Sequence, residues 1–255
     1  MERRSPCYSR ITGVSRINPE ELLLAYRLGI FPMAESRNAE DVLWIRPHER
    51  GIIPLETFHV PRRLARVVRS DRFRVTANHA FFDVICGCAE SRPDRRDTWI
   101  NDAIIEVFET LYRRGLAHSI EVWSGDRLVG GLYGLAIGGA FFAESKFSRE
   151  KDASKVALVH LAARLKAGGF MLLDAQFPNP HLDQFGAVVA TEERFQQLLT
   201  QALTANADFY FLAPVVGPGA AAPEFAGAGT TLPSAESGAT GLTGSSVLQV
   251  ITQTS

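Results

Sequence analysis

Two apolar stretches of the sequence carry polar side chains where a buried strand would not normally have them. Glu144 and Lys146 interrupt the run "AFFAESKFS" (residues 140–148), and Asp174 and Gln176 follow the run "FMLL". Because side chains alternate between the two faces of an extended strand, each of these pairs is predicted to share a face. Only one helix separates the two stretches, so we predict neighbouring strands that bring Glu144, Asp174 and Gln176 together. The spacing by itself thus predicts a carboxylate–amide cluster of these three residues.

The rest of the chain predicts the helices and strands that would position this cluster. A helix with Asn18 as its N-cap is predicted in "NPEELLLAYRLG", and small strands around a turn are predicted in "VLWIRPHERGIIPL". Next come a helix over 61–69, a strand in "FRVTA", and helices that begin at Asn78 and after the cap Asn101. Three strands are predicted in "HSIEVW", "RLVGGLYGLAI" and "GAFFAESKF", followed by a helix in "ASKVALVHLAARLKAGG", a strand in "FMLLDAQF" and a helix near 192–204.

This order of elements is that of an α/β (α+β) fold with an acetyltransferase-like (GNAT-like) mixed sheet. In that architecture two neighbouring central strands separate and leave a cleft for a carrier-bound acyl group. We expect a small N-terminal domain (1–60), an acetyltransferase-like catalytic domain (61–214) and a disordered tail (215–255). The tail has no Lys or Arg and is rich in Gly, Ala, Ser, Thr and Pro, so it is predicted to bury too little apolar surface to fold.

Composition and charge restrict the function further. The 255 residues carry a net charge of −1, which argues against a protein that coats nucleic acid by bulk attraction. The segment 59–74 is basic, however, and its Arg62, Arg66 and Arg69 fall on one helical face. They predict either a solvated helix face or a patch for a short stretch of phosphates. Since no apolar run reaches eighteen residues and no signal sequence follows the N-terminus, we expect a cytoplasmic protein without a membrane span.

Seven motifs, taken together, resemble one family. The chain contains, in unbroken order, "AYRLGIFPM", "TWI", "AHSIEVW", "LVGGLYG", "FFAESKFS", "DASKVAL" and "LLDAQF…HLDQFGA". In aggregate this series, over roughly residues 17–204, is similar to the leucyl/phenylalanyl-tRNA–protein transferases. The resemblance implies transfer of leucine, phenylalanine or, less often, methionine from charged tRNA to a protein with N-terminal arginine or lysine. The bulky residue added there marks the protein for N-end-rule degradation.

The resemblance also implies the chemistry and the site residues. Aminoacyl-tRNA is an activated ester, so attack by an amine is downhill and neither a cofactor, ATP nor a metal is expected. Asp174 and Gln176 match the family's "D-x-Q" pair, implicated in orienting and deprotonating the attacking amine, and Glu144 matches the glutamate of the aminoacyl pocket. By the same match, the residues expected to line that pocket are Leu132, Phe141, Lys146 and Ser154.

Further substrate contacts are expected around the cluster. Ser154 is expected to shape the turn and helix start after the pocket strand. Trp44 and Trp99 are candidates to stack on the terminal adenosine, with subdomain packing as the alternative for each. The basic segment with Arg62, Arg66 and Arg69 matches a region that the family uses for the acceptor stem of the tRNA. We expect the enzyme to act as a monomer.

Lys146 departs from the family, which usually has methionine there. Burying an unpaired ammonium costs several kcal/mol, so we expect Lys146 to form an ion pair with Glu144. A lysine here also leaves open a different acceptor, with N-terminal Asp or Glu. Two further functions are weighed: an acetyl-CoA-dependent N-acetyltransferase, which the absence of a glycine-rich loop at residues 149–155 disfavours, and a non-catalytic RNA-binding module, which does not explain the carboxylate–amide cluster.

Overall fold

The computed structural model describes residues 16–91, 97–212 and 242–253. Its elements in chain order are α1 (Pro19–Arg27), β1 (Phe31–Met33), β2 (Leu43–Ile45), β3 (Glu49–Ile53), α2 (Arg62–Arg69), β4 (Arg74–Ala77), α3 (Phe81–Ala89), α4 (Asp102–Arg113), β5 (Ala117–Ser124), β6 (Arg127–Ile137), β7 (Ala140–Ser148), α5 (Ala153–Ala167), β8 (Leu172–Asp174), a 3₁₀ helix (Pro180–Phe185), β9 (Val188–Thr191), α6 (Glu192–Leu203) and α7 (Gly244–Thr252). Within the described residues no helix is long and apolar enough to cross a membrane.

Local sequence signals explain where the helices begin. The side chain of Asn18 accepts a hydrogen bond from the main chain of Glu20, and Pro19 occupies the first turn of α1. Asn101 caps α4 in the same way, through the main-chain N–H of Ile104. The helix predicted from Asn78 begins only at Phe81, because Asn78 itself has a left-handed backbone (φ +58°).

Seven strands form one mixed sheet in the order β4-β5-β6-β7-β8-β3-β9, and β1 and β2 form a separate two-stranded sheet. All neighbours in the large sheet are antiparallel except β7 and β8, which are parallel. The fold is therefore mixed α/β, as predicted. β3 lies before the predicted domain boundary at residue 60, yet it is a strand of the large sheet between β8 and β9.

The two faces of the large sheet carry two apolar cores. The first core includes side chains from α1, α3 and α4, such as Tyr26, Ile85 and Phe108. The second core includes side chains from α2, α5 and α7, such as Leu64 and Val159. The sheet is buried between these layers, which is the arrangement expected for a parallel pair in the middle of a sheet.

β7 and β8 pair only over a short distance. Ala140, Phe141 and Phe142 lie opposite Leu172, Leu173 and Asp174. β8 ends at Asp174, whereas β7 continues to Ser148. The strand predicted as "FMLLDAQF" is therefore shorter than expected, because Gln176 has a left-handed backbone (φ +64°) that no extended strand can contain.

A β-bulge in β7 overturns the predicted alternation of its side chains. Tyr133 of β6 lies opposite Ser145, but Gly134 lies opposite Ala143, so Glu144 is an extra residue in the ladder. Lys146 lies opposite Leu132, a residue of the second core, whereas Phe142 belongs to the first core. Residues opposite each other share a face of the sheet. The expectation that Phe142 and Lys146 share a face is therefore wrong.

The helix α7 corrects part of the predicted tail. Val247, Leu248 and Ile251 are buried in the second core, and the main chain of Gly244 donates to Asp71 (2.6 Å). Residues 244–252 are thus ordered, since three apolar side chains at helical spacing find a surface on α2 and α5 that the composition of the segment did not reveal. Residues 215–241 and 254–255 of the predicted tail lie outside the described residues.

Candidate active site

Glu144 lies in the bulge of β7 and reaches into the first core. Its Oε1 accepts hydrogen bonds from the hydroxyl of Tyr26 (2.7 Å) and from the side-chain amide of Gln176 (2.9 Å). Its Oε2 is buried and has no hydrogen-bond partner among the described residues. The predicted contact between Glu144 and Gln176 is therefore present, and one carboxylate oxygen is left for another group.

Burial dominates the electrostatics of Glu144. Loss of solvent raises the pKa of this carboxyl to about 8, and the nearby charge of Asp174 acts in the same direction. The hydrogen bonds from Tyr26 and Gln176 and the positive charge of Arg50 oppose the shift without cancelling it. The neutral form of Glu144 therefore prevails at neutral pH, although the ionised form is within reach.

Asp174, at the end of β8, is in a contrasting environment. Nε and Nη2 of Arg50 donate to its two carboxylate oxygens, at 2.8 and 2.5 Å. Both side chains are buried, and the arginine is fixed further by the carbonyl of Gly29 (2.9 Å). The guanidinium also lies over the rings of Phe31 and Phe195, at 4.8 and 4.4 Å. Both carboxylate oxygens of Asp174 thus accept hydrogen bonds from the Arg50 guanidinium.

The main chain of Gln176 is held from two sides. Its N–H donates to Oδ1 of Asp174 (2.8 Å), and its carbonyl accepts from the N–H of Gly51 (2.9 Å). A side chain at residue 51 would come within 2.7 Å of the carbonyl oxygen of Phe177, so only glycine allows β3 this close. These contacts stabilise the left-handed backbone that aims the Gln176 amide at Glu144.

Three residues of the site were not predicted from the sequence. Arg50 could have been noticed as a charged residue next to the apolar run "GII". Tyr26 and Tyr133 gave no comparable signal, because buried tyrosines are common in cores. The hydroxyl of Tyr133 is buried and has no hydrogen-bond partner in the described part of the chain. Burial, followed by the charge of Glu144, raises its pKa well above its usual value.

The structure separates the predicted pocket residues from Glu144. Leu132 and Phe141 are buried in the second core, on the other face of the sheet, where Phe141 packs against the rings of Phe170 and Phe209. Ser154 is at the start of α5, and its main-chain N–H donates to the hydroxyl of Ser148 (3.2 Å). The bulge is the reason, because it lets Glu144 enter the first core while Phe141 stays in the second.

The predicted ion pair between Lys146 and Glu144 is absent. Lys146 is exposed, and no carboxylate of the described residues lies within ion-pair distance of its ammonium. Lys146 lies opposite Leu132 across the β6–β7 ladder. Partial loss of solvent lowers the pKa of its ammonium, and the nearby Cys88 opposes that shift.

The predicted tRNA-binding residues lie on two separate surfaces. Trp44 is exposed on β2 opposite Pro32, and Trp99, packed against the first core, accepts a hydrogen bond from the main chain of Ala34. Arg62, Arg66 and Arg69 are exposed on α2, next to the second core. In the described parts of the chain, none of these three arginines has a carboxylate within ion-pair distance. The same parts contain no cluster of His, Cys, Asp or Glu suited to a metal ion.

Comparison with known proteins gives a consistent result. A family model described as leucyl/phenylalanyl-tRNA protein transferase matches residues 52–200, and one described as the N-terminal domain of that transferase matches residues 15–48. The chain is 54% identical over 216 residues to the leucyl/phenylalanyl-tRNA–protein transferase of Phenylobacterium zucineum, covering 85% of this chain and 95% of the relative. It is also 55% identical to the transferase of that name from Rhodopseudomonas palustris, over 78% of this chain and 87% of the relative.

A solved structure is more distantly similar. The structure of L-PGS from Bacillus licheniformis aligns with a TM-score of 0.39 and 12% identity, over 72% of this chain and 70% of that one. A similarity of this size carries no argument about the site.

Proposed function

Because the chain belongs to the leucyl/phenylalanyl-tRNA–protein transferase family, we propose that its Glu144–Gln176 cluster is the centre at which an aminoacyl group passes from tRNA to a protein. The chain is an enzyme, an aminoacyl-tRNA–protein transferase that acts on a protein N-terminus. The observation that carries the assignment of the site is the hydrogen bond from Gln176 to Glu144, made where β7 and β8 separate.

The proposed reaction needs little beyond positioning. The nitrogen of the acceptor amine attacks the ester carbonyl carbon, a C–N bond forms, and the C–O bond to the ribose breaks. The amine gives up one proton and the released ribose oxygen gains one, so the reaction balances without ATP or a cofactor. A protein α-amino group has a pKa of about 7.7–8.0, so modest assistance suffices to deprotonate it. Holding the ester and the amine together supplies most of the acceleration.

The three polar residues have distinct proposed roles. The Gln176 amide orients the attacking amine, and Asp174 holds Gln176 in place through its main-chain N–H. Glu144 presents its unpartnered Oε2 to a polar hydrogen of a substrate. The carboxyl contacts one aromatic side chain, Tyr26, whose ring packs edge-on against Phe142 with the ring centroids 5.0 Å apart. Such surroundings suit a leucine or phenylalanine donor.

We propose an acetyltransferase-like (GNAT-like) arrangement for the sheet and a small N-terminal unit that precedes it. The three residue pairs between β7 and β8, beyond which only β7 continues, support an opening between parallel strands. Two separate family models, one ending at residue 48 and one starting at residue 52, support a unit that ends before β3 rather than at residue 60. Residues 1–15 of that unit lie outside the described residues.

The proposed substrates follow from the same assignment. Leu-tRNA and Phe-tRNA are the donors, with the adenosine end near Trp44 and Trp99 and the acceptor stem on Arg62, Arg66 and Arg69. Proteins with N-terminal Arg or Lys are the acceptors, and the product enters N-end-rule degradation. We propose a monomer acting in the cytoplasm, where charged tRNA is made.

Lys146 supports a second candidate acceptor. An exposed ammonium that has no carboxylate within ion-pair distance among the described residues would attract an acceptor with N-terminal Asp or Glu. This candidate rests on one side chain, so we rank acceptors with N-terminal Asp or Glu after those with N-terminal Arg or Lys.

A labelled-transfer assay tests these proposals. Wild-type protein, Gln176→Ala and Lys146→Met are incubated with labelled Phe-tRNA and four peptides that differ only in beginning with Arg, Lys, Asp or Glu. We expect label on the Arg and Lys peptides, about a hundredfold less of it with Gln176→Ala, and little change with Lys146→Met. Label on the Asp and Glu peptides that Lys146→Met abolishes would establish the second candidate instead. Turnover of acetyl-CoA without transfer from tRNA would overturn the assignment.

A further inference from the structure

A charged side chain outside the predicted set, Arg50, contacts Asp174 of the cluster. Arg50 is 1% exposed and lies between the end of α1, β1, β8 and α6, through Gly29, Phe31, Asp174 and Phe195. Nε and Nη2 of its guanidinium donate to the two oxygens of Asp174, and we call this pair of parallel hydrogen bonds the fork. A buried fork of this kind is rigid, since planar guanidinium and carboxylate groups match in shape and each ring above the arginine restricts its movement.

This fork conflicts with Asp174 as the group that takes a proton from the amine. A carboxylate held by a buried arginine has both oxygens engaged and its charge compensated within the protein. Oδ1 also accepts the main-chain N–H of Gln176. Asp174 therefore has an anchoring geometry: it joins Arg50 on one side to the left-handed backbone of Gln176 on the other.

Glu144 is the remaining carboxylate and has the opposite geometry. Both of its hydrogen bonds arrive at Oε1, and no described residue contacts Oε2 within hydrogen-bond distance. No cation of the described residues pairs with it. Its pKa of about 8 is close to that of a protein α-amino group, which is the match that favours general base catalysis near neutral pH.

From these contacts, and resting on the proposed function, we propose that Arg50 is a positioning residue that turns Asp174 into an anchor for Gln176, and that Oε2 of Glu144 takes the proton of the attacking amine. In the balanced step, the amine nitrogen bonds to the ester carbonyl carbon and loses one proton to Oε2, while the ester C–O bond breaks. Glu144 then passes the proton to the departing ribose oxygen and is ready for another cycle.

The titratable and charged groups around Glu144 bear on any pH dependence. They are Tyr26 on α1, Arg50 on β3, Tyr133 on β6 and Asp174 on β8, with Cys88 of α3 next to Tyr133. The two tyrosines have pKa values raised by burial, so they remain neutral across the useful range. Burial raises the pKa of Glu144 to about 8, so this carboxyl titrates in the range of the assay.

A charge-neutral double variant separates the two roles of Asp174. Asp174→Asn alone leaves the Arg50 guanidinium buried without its counter-charge. Arg50→Met alone likewise leaves the Asp174 carboxylate buried without a cation. Each single variant should therefore lose about a hundredfold or more in kcat. The double variant Arg50→Met, Asp174→Asn has no charge left, and the asparagine oxygen can still accept the N–H of Gln176. We expect its kcat to exceed that of either single variant by at least about tenfold, whereas Glu144→Gln should stay at least about a hundredfold below wild type.

The assay uses the full chain, labelled Phe-tRNA and a peptide that begins with Arg, with thermal unfolding of every variant as a folding control. A folded double variant no more active than Asp174→Asn would overturn the inference, because the carboxylate charge of Asp174 would then be needed for the chemistry. If wild-type protein transfers no label, the proposed function itself fails. If wild type transfers and the double variant is not rescued, only the inference fails.

A conservative variant decides the matter if the double variant does not fold. Arg50→Lys keeps the charge but loses the fork, so we expect a kcat about tenfold lower and an unchanged KM for the tRNA. With Glu144 as the proton acceptor, the acid limb of the kcat–pH profile should keep the midpoint of wild type in Arg50→Lys. An acid limb that persists with the wild-type midpoint in Glu144→Gln would show that another group takes the proton, and the inference would be wrong.

Discussion

At the scale of single residues, two neighbouring carboxyl groups have been given different properties by their surroundings. Asp174 faces a buried guanidinium that occupies both oxygens, so its charge is compensated within the protein. Glu144 faces hydroxyl, amide and aromatic groups, and burial raises its pKa to about 8. A pair of carboxyl groups with such different surroundings can divide anchoring and proton transfer between them.

Replacing Glu144 by glutamine should change how stability depends on pH. Because the folded protein raises the pKa of Glu144 from 4.5 to about 8, it holds a proton there that the unfolded chain releases at lower pH. The free energy of unfolding of the wild type should therefore fall as the pH rises from about 5 to 8, by up to about 1.4 kcal/mol per pH unit from this group. Glutamine does not titrate, so Glu144→Gln should gain stability relative to wild type by a few kcal/mol, on the order of 3, across that range.

Denaturant unfolding at pH 5, 6.5, 8 and 9 measures this difference. The control is Glu109→Gln, since Glu109 pairs with Arg113 on the surface of α4 and its removal should leave the curve parallel to that of wild type. Parallel curves for Glu144→Gln and wild type would contradict the prediction.

Two buried tyrosines near Glu144 form a matched pair for a second test. Tyr26→Phe removes the hydroxyl that donates to Oε1, and it should cost about 1–2 kcal/mol of stability. Tyr133→Phe removes a hydroxyl that no described residue contacts within hydrogen-bond distance, so it should be neutral or should stabilise the protein by about 1 kcal/mol. Urea unfolding near pH 6 compares them, and equal losses would show that the two hydroxyls do not differ in the folded protein.

At the scale of elements, the site depends on departures from regular strands. The bulge at Glu144 admits this residue to the first core, and the left-handed backbone at Gln176 ends β8 and turns the amide toward the glutamate. Each departure costs local stability, which the surrounding hydrogen bonds offset. The close approach of Gly51 to the main chain of Phe177 holds the left-handed backbone of Gln176 in place.

A methyl group at residue 51 should therefore impair activity. In Gly51→Ala the added carbon would meet the carbonyl oxygen of Phe177 at 2.7 Å, and a main-chain atom cannot move aside without moving Gln176. Since a displacement of about 1 Å can cost about a hundredfold in rate, we expect kcat to fall by at least about tenfold. Single-turnover transfer from Phe-tRNA measures the effect.

Gly125→Ala provides the control for that substitution. Gly125 has a positive φ of +60° in the turn between β5 and β6, and an added methyl group meets nothing within 4 Å. This variant should lose about 1 kcal/mol of stability through backbone strain and keep its kcat. Equal kcat values in the two variants would contradict the prediction for Gly51.

At the scale of the whole molecule, the large sheet divides the proposed substrate contacts. The proposed catalytic cluster and Trp99 are associated with the first core, and the arginines of α2 are on the other side, above the second core. α7 packs against α2 and α5, so it supports the helix that carries those arginines. A donor as large as tRNA could contact both sides of the sheet, whereas a free amino acid ester could not.

The arginines of α2 should contribute mainly salt-dependent affinity. Replacing Arg62, Arg66 and Arg69 together by glutamine removes up to three phosphate contacts, and each contact contributes about 0.7–0.9 to the slope of log K against log salt. We expect the slope to fall by about two to three units, with kcat at saturating tRNA unchanged. Titration of Phe-tRNA binding between about 50 and 200 mM salt measures the slope.

A surface arginine of α4 serves as the comparison. Arg113 is exposed but is paired with Glu109, so Arg113→Gln should leave the slope close to that of wild type. An unchanged slope in the triple variant would indicate that α2 is only a solvated helix face.

The sequence by itself determined most of the elements and the family. Helix caps such as Asn18 and Asn101 and the pattern of the strands β5, β6 and β7 are local features, so they could be predicted without tertiary information. The motifs of the family likewise identified Glu144, Asp174 and Gln176, and the structure brings these three together.

Only the tertiary structure decided which way the side chains of β7 point and what neutralises Asp174. A bulge depends on how two strands register against each other, so strict alternation wrongly placed Lys146 beside Glu144. Arg50 and Tyr26 are 124 and 118 residues away from the carboxylates they bind, and no local pattern reveals contacts over that separation. The burial of α7 was missed for the same reason, because its apolar side chains are stable only against a surface formed by α2 and α5.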